Sequence, residues 1–226
     1  MTVGENVRAV QERAAEAAIR SGRRPEEVRL ITVTKTIEKE RILEAIGAGA
    51  NRIGENRVQE LIFKLEFLPE TVEKHVIGQL QSNKARQVVG VAALVHSLDR
   101  LSLAAELNRV AAARGLTVDA LVEVNIGGEE SKGGVAPSAL LSLLERLCEF
   151  PNLRIRGLMT VPPRCTETEA RRYFASLREL MERAGREFPS LPLAELSMGM
   201  SADFEAAILE GATYVRVGSA IFGARR

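Results

Sequence analysis

The chain is poor in the residues that most often announce chemistry. It has two histidines, His75 and His96, two cysteines, two tyrosines and no tryptophan. So few histidines leave little from which to build a histidine-based metal site. Cys148 falls in a helical pattern and Cys165 in a loop, with no metal-ligand spacing, which predicts a disulfide-free, cytoplasmic protein. Neither sign of charge is in excess: 31 basic residues against 30 acidic ones give a net charge of +1. A nucleic-acid surface calls for a basic excess on one face, so no nucleic-acid partner is expected. The opening stretch, "MTVGENVRAVQERAAEAAIR", carries charge throughout and has no long apolar run, which predicts neither a signal peptide nor a membrane span. No proline- or glycine-rich linker divides the chain.

What is there is a repeated alternation. The 226 residues, 46% of them hydrophobic, suffice for one large domain over residues 1–226. After a first helical pattern from about Glu5 to Ser21, short apolar runs recur: "LITVTK", "RIGEN", "HVIG", "LVHSL", "ALVEVNI", "RIRGLMTV", "AELSMG" and "YVRVGSA". Longer amphipathic stretches such as "RLSLAAELNRVAAARG" separate them. Strands alternating with helices predict right-handed βαβ units and a parallel sheet. An open doubly wound sheet and a closed (β/α)8 TIM-type barrel both fit, and eight nearly regular units favour the barrel. Only "IFGARR" follows the eighth run, so the extra N-terminal helix is expected to cover part of the gap left there.

Active groups of such a barrel sit at the C-terminal strand ends, and phosphate is often held by the last two loops. Along "LITVTK", Ile31, Val33 and Lys35 share a face. Lys35 therefore stands over the mouth, as a strand-end lysine reaching water or as a partly desolvated amine held for chemistry. In "LSMGMSADFEAAILEG", Ser197, Gly199 and Ser201 are small, and Ser201 stands where the N-cap of a helix starting near Ala202 belongs. In "YVRVGSAIFG", Tyr214, Arg216 and Gly218 share a face, and Ser219 adds a hydroxyl. Arg216 would point inward and need an acceptor, for which Glu195 and Glu123 are the candidate carboxylates. Asn56 either faces a ligand hydroxyl or caps the next helix. His75 is expected as a packed residue away from the mouth, with Gln79, Gln81, Asn83 and Lys84 near the rim. Met159 is expected to fill the core, and Lys132 to be solvated in a mobile loop over the mouth. Closure would bring strand 8 beside strand 1, setting a lysine next to an anion cradle. A sugar phosphate and pyridoxal 5′-phosphate both suit that pairing.

Taken together, "VTKT", "IGENRVQE", "HVIGQLQSNK", "VHSLD", "VNIGGEESKGG", "GLMTVPP", "LSMGMSADFEAAI" and "VRVGSAIFG" resemble, in order and nearly end to end, the YggS/PROSC family of pyridoxal phosphate homeostasis proteins. The resemblance implies a barrel similar to the N-terminal domain of alanine racemase, with pyridoxal 5′-phosphate held as a Schiff base on Lys35. It implies a phosphate site at Ser197, Met200, Ser201, Gly218 and Ser219, with Arg216 facing the pyridine nitrogen and Asn56 near the ring hydroxyl. It further implies a cytoplasmic, monomeric carrier or regulator in vitamin B6 supply, with effects on amino-acid balance and apo-enzymes as possible recipients. The alternative is a stand-alone racemase or another weak enzyme using this cofactor. An arginine partner makes the ring a weaker electron sink. A racemase also needs an acid/base on each face of its substrate, and neither Tyr173 nor Tyr214 is placed to supply the second.

Overall fold

The computed structural model describes residues 2–129 and 132–223. Eight parallel strands close into a barrel in sequence order, β1 to β8: Arg29–Val33, Arg52–Glu55, Glu73–Val76, Leu94–Leu98, Val118–Glu123, Leu153–Met159, Glu195–Ser197 and Tyr214–Val217. Each of the eight apolar runs is thus a strand. The helices are α1 (Val3–Arg20), α2 (Lys39–Gly47), α3 (Val58–Lys64), α4 (Ala85–Val88), α5 (Leu101–Ala113), α6 (Leu140–Leu147), α7 (Glu167–Glu187), α8 (Phe204–Leu209) and α9 (Ser219–Phe222). No helix among the described residues is long and apolar enough to cross a membrane.

Strand alternation divides the buried side chains into two sets. Ile31, Leu94, Leu121, Met159 and Tyr214 fill the barrel, with Ile77 and Val161 above them. A larger apolar layer, including Val95, Leu103, Leu107, Leu144, Phe174 and Val215, lies between strands and helices. Met159 is core, as its type suggests. Closure is made by β8 lying along β1, with Arg29 opposite Tyr214, Ile31 opposite Arg216 and Thr32 opposite Val217.

Among the described residues only the four-residue α9 follows β8, and α1 supplies the cover. A capping box between Thr2 and Glu5 starts α1, and its buried stripe is Val3, Val7, Val10, Ala14, Ala17 and Ala18, the spacing of one helical face. That stripe packs against α2, α8 and α9. Asn6 Nδ2 donates to Ile221 O at 2.8 Å, and Arg13 pairs with Glu205. The loop after β5 is tied at both ends by a parallel bridge between Val124 and Val135; Glu130 and Ser131, within the stretch expected to be mobile, lie outside the described residues. Lys132 is not simply solvated: its Nζ donates to Pro162 O at 3.0 Å and pairs with Glu129, which ties this loop to the one after β6.

Val7, on the inner face of α1, is fully buried. Val7→Ala is expected to cost about 2 kcal/mol, read as a lower urea midpoint with unchanged slope.

Candidate functional site

A cavity of about 630 Å3 opens at the C-terminal strand ends, and its walls include Lys35, Asn56, Met200, Ser201, Arg216, Gly218 and Ser219. Seven of the eight residues singled out from the sequence therefore meet there. The eighth, Ser197, is fully buried below it.

The chain delivers Lys35 through a tight turn. Ile37 N donates to Thr34 O at 3.0 Å, and Thr36 between them adopts φ +62°, the only positive φ at a described non-glycine residue. That left-handed turn costs roughly 1 kcal/mol at a residue with a Cβ, so it needs support. Thr36 N donates to Glu60 Oε2 at 3.0 Å. Lys64 Nζ donates to Thr34 O and to Glu55 Oε1, each at 2.6 Å. Thr34 Oγ1 donates to the same Glu55 oxygen at 2.5 Å. Glu55 points out of the barrel under α3, where burial raises its carboxyl while Lys64 and Thr34 pull it back. Motif reading did not single out this cluster. The available signal was a carboxylate on the outward, covered face of a strand, which demands a buried cation.

Asn56 stands just beyond β2, two residues past the pairing of Val33 with Gly54, and so at the level of Lys35. Gly78 after β3 crosses directly over it: a Cβ there would lie 2.5 Å from Asn56 O. Any other residue would push Asn56 off the wall.

Arg216 forms the cavity floor and is 4% exposed. Its Nη1 donates to Ser197 Oγ at 2.5 Å and its Nη2 to Thr160 O at 2.8 Å. Neither carboxylate named from the sequence bonds to it. Glu195 sits one layer lower, where it pairs with Arg29 and faces Arg156 at 3.7 Å. Glu123 lines an adjoining cavity of about 230 Å3 with Asn56, Gln79 and Lys132, and its Oε2 has no hydrogen-bond partner among the described residues. Burial, reinforced by Asp99, pushes the Glu123 carboxyl up to about 7. Desolvation draws the guanidinium of Arg216 down to about 10 against the pull of Glu123 and Asp203, so it remains cationic at neutral pH.

The loop after β7 departs from expectation. α8 begins at Phe204 behind Asp203, whose Oδ1 accepts from Met200 N at 2.6 Å. Ser201 does not cap α8. Its Oγ reaches across to the β8 loop and accepts from Gly218 N at 3.1 Å and Ala220 N at 3.2 Å. Those backbone donors lie at the end of the neighbouring strand, which spacing along the sequence does not reveal. Both lone pairs of the hydroxyl are thus used, and its proton is left to donate. Gln79, Gln81 and Lys84 line a separate rim groove beside Asn56. His75 is packed deep in the barrel, as expected.

Residues 5–226, which carry this lysine at the lip, arginine on the floor and hydroxyl-lined wall, match the model of the alanine racemase N-terminal domain. A pyridoxal phosphate homeostasis protein of Aquifex aeolicus is 45% identical over 228 residues, covering 100% of both chains. One of Pseudomonas aeruginosa is 43% identical, covering 99% of this chain and 96% of its own. The structure of PipY from Synechococcus elongatus with pyridoxal phosphate bound superposes with a TM-score of 0.81 at 38% identity, over 95% of this chain and 100% of that one. The chain belongs to the pyridoxal phosphate homeostasis protein family.

Lys64→Met leaves the Glu55 carboxylate buried without its cation and is expected to cost about 3–5 kcal/mol; adding Glu55→Gln restores most of that in a urea titration. Glu123 gives the opposite sign of pH dependence from a paired carboxylate. Its folded pKa, about 7, is raised above the unfolded value, so the folded state binds more protons and stability falls as pH rises from about 4.5 to 7. Glu123→Gln is expected to flatten that slope in the ligand-free protein, with a gain on the order of 1–3 kcal/mol at pH 8 and little at pH 4.

Proposed function

We propose that this chain binds pyridoxal 5′-phosphate, holds it as a Schiff base on Lys35, and acts in the cell's supply of that cofactor as a carrier or regulator rather than as a catalyst. The observation that carries the reading is the gathering of Lys35, Arg216, Ser201, Gly218 and Ser219 around one cavity. The donor set fits the group. Arg216 has spent one N–H on Ser197 and one on Thr160 and keeps others for a ring nitrogen; as a donor without a lone pair to offer, it favours the unprotonated pyridine. Ser201 and Ser219 supply hydroxyls, and Gly218, having no side chain, leaves room beside them for a phosphate, with Met200 at the same wall. Asn56 suits the ring hydroxyl. Ser197 acts indirectly, by holding Arg216. When bound, the cofactor supplies an aldehyde and an electron-withdrawing ring. Lys35 supplies the amine, and the supported turn at Thr36 keeps that amine at the cavity lip. The relatives' names and the cofactor-bound PipY structure support the same reading. A cytoplasmic monomer delivering to apo-enzymes, with effects on amino-acid balance, completes the proposal.

The match to a racemase domain favours one second reading, a stand-alone amino-acid racemase. Of the two tyrosines, Tyr173 lies on α7, and Tyr214 lies low on β8 with its hydroxyl accepting from Arg29 Nη1 at 2.8 Å. Neither lines the cavity, so neither serves a substrate held against Lys35.

Borohydride reduction of the loaded protein followed by peptide mass mapping tests the assignment. The wild type is expected to carry the reduced adduct on Lys35 and Lys35→Ala to carry none; an adduct retained by Lys35→Ala refutes it. Incubation with L- and D-amino acids decides between the readings, since Lys35-dependent loss of chirality would replace carrier by racemase.

A further inference from the structure

A fully buried guanidinium without a carboxylate against it needs its charge answered in some other way. Below Arg216, polar groups follow one another through the barrel interior. Ser197 Oγ, which accepts from Arg216, lies 2.8 Å from His96 Nδ1. His96 Nε2 lies 3.0 Å from His75 Nδ1. His75 Nε2 lies 3.4 Å from Glu73 Oε2, at the opposite end of the barrel, where the Glu73 side chain is 46% exposed. Ser197 and both histidines are at most 1% exposed. The rings of His75, His96 and Tyr214 stand 5.2–5.6 Å apart and brace one another.

The chemistry of the ends fixes the direction of every bond between them. Glu73 is held down to about 2, chiefly by its bond from His75 and by Arg52, so it only accepts, and His75 Nε2 must carry a proton. Burial keeps both histidines neutral at pH 7. A neutral imidazole has one donor and one acceptor. His75 Nδ1 is therefore an acceptor, His96 Nε2 donates to it, and His96 Nδ1 accepts from the Ser197 hydroxyl. Ser197 has its oxygen lone pairs left for Arg216. All dipoles point the same way, from the cation on the cavity floor to the carboxylate at the far end, and aligned hydrogen bonds polarise one another in a low-dielectric interior.

We propose that His96 and His75 are positioning residues of the cofactor site: with Ser197 and Glu73 they form a polarised chain that fixes the orientation of Arg216 and stabilises its charge from the opposite end of the barrel. The chain orients Arg216 without consuming the N–H groups aimed at the ligand. Its bearing on the cofactor rests on the reading proposed above; the chain itself does not.

The two histidines make the test clean, because a protein labelled with 15N-histidine shows two imidazoles. In the ligand-free protein at pH 7, both are expected as neutral Nε2–H tautomers, and Glu73→Gln is expected to move the resonances of His96 as well as of His75. A His96 protonated on Nδ1, or a Glu73→Gln response confined to His75, overturns the chain whether or not the protein binds any cofactor. With pyridoxal 5′-phosphate added, Glu73→Gln and His96→Gln are both expected to shift the absorption maximum of the bound cofactor and its pH profile, and to weaken binding several-fold. Asp119→Asn, at the same end but outside the chain, is expected to leave both unchanged. A cofactor spectrum and affinity indifferent to Glu73→Gln, in protein that binds, overturns the positioning role. Where Lys35 proves not to be the attachment point, the histidine spectra still decide on the chain.

Discussion

The pairing of β8 with β1 is the constraint on which the site depends. Its register sets Arg216 beside Ile31, and the alternation of side chains then carries Lys35 to the lip above Val33. Without closure, the amine and the guanidinium would stand on the two edges of an open sheet. The same pairing explains why α1 is where it is. After β8 the described residues offer just the short α9 to cover the outer flank of β8 and β1, and the apolar stripe of α1 fills the place between α8 and α2.

Acid groups near the cavity are arranged so that none takes the guanidinium outright. Glu195 is drawn down to Arg29, Glu123 stands off with a carboxyl half inclined to stay neutral at pH 7, and Asp203 is turned to the Met200 amide. A carboxylate in bidentate contact would neutralise Arg216 but occupy its N–H groups, which line the cavity floor. The protein instead uses neutral partners, Ser197 and the Thr160 carbonyl, and leaves the counter-charge at a distance. A second buried cluster, Glu55, Lys64 and Thr34, does for the backbone at Lys35 what the interior chain does for Arg216: it holds a functional group from behind.

Much of this was legible in order along the chain. Strands buried on both faces read as short continuous apolar runs, which is why all eight were found, and period-two alternation was enough to aim Lys35, Arg216 and Gly218 at one mouth. What escaped were partnerships between residues distant in sequence. Lys64 reads as one more cation on a helix until α3 is seen lying over Glu55. Ser201 precedes a helix and so looks like its cap, yet its oxygen serves the neighbouring strand's loop. Arg216 was expected to find a carboxylate because the charge demands one locally, and the structure satisfies that demand over a longer path through His96 and His75. Charge and periodicity are written in the sequence; which polar groups face one another across a closed barrel is decided by strand register.

The tie between Asn6 and Ile221 joins residues separated by 215 positions, and the site itself draws on β1 and β8. Contacts of such sequence separation form late, since the loop they close must first be ordered. During synthesis, the amine-bearing strand emerges first and the strand that carries the guanidinium last. A growing chain therefore exposes Lys35 for most of its elongation without a pocket around it, and the cavity becomes competent only in the closing event that also seals the hydrophobic flank under α1. Completion of the cavity and closure of the barrel are thereby the same step.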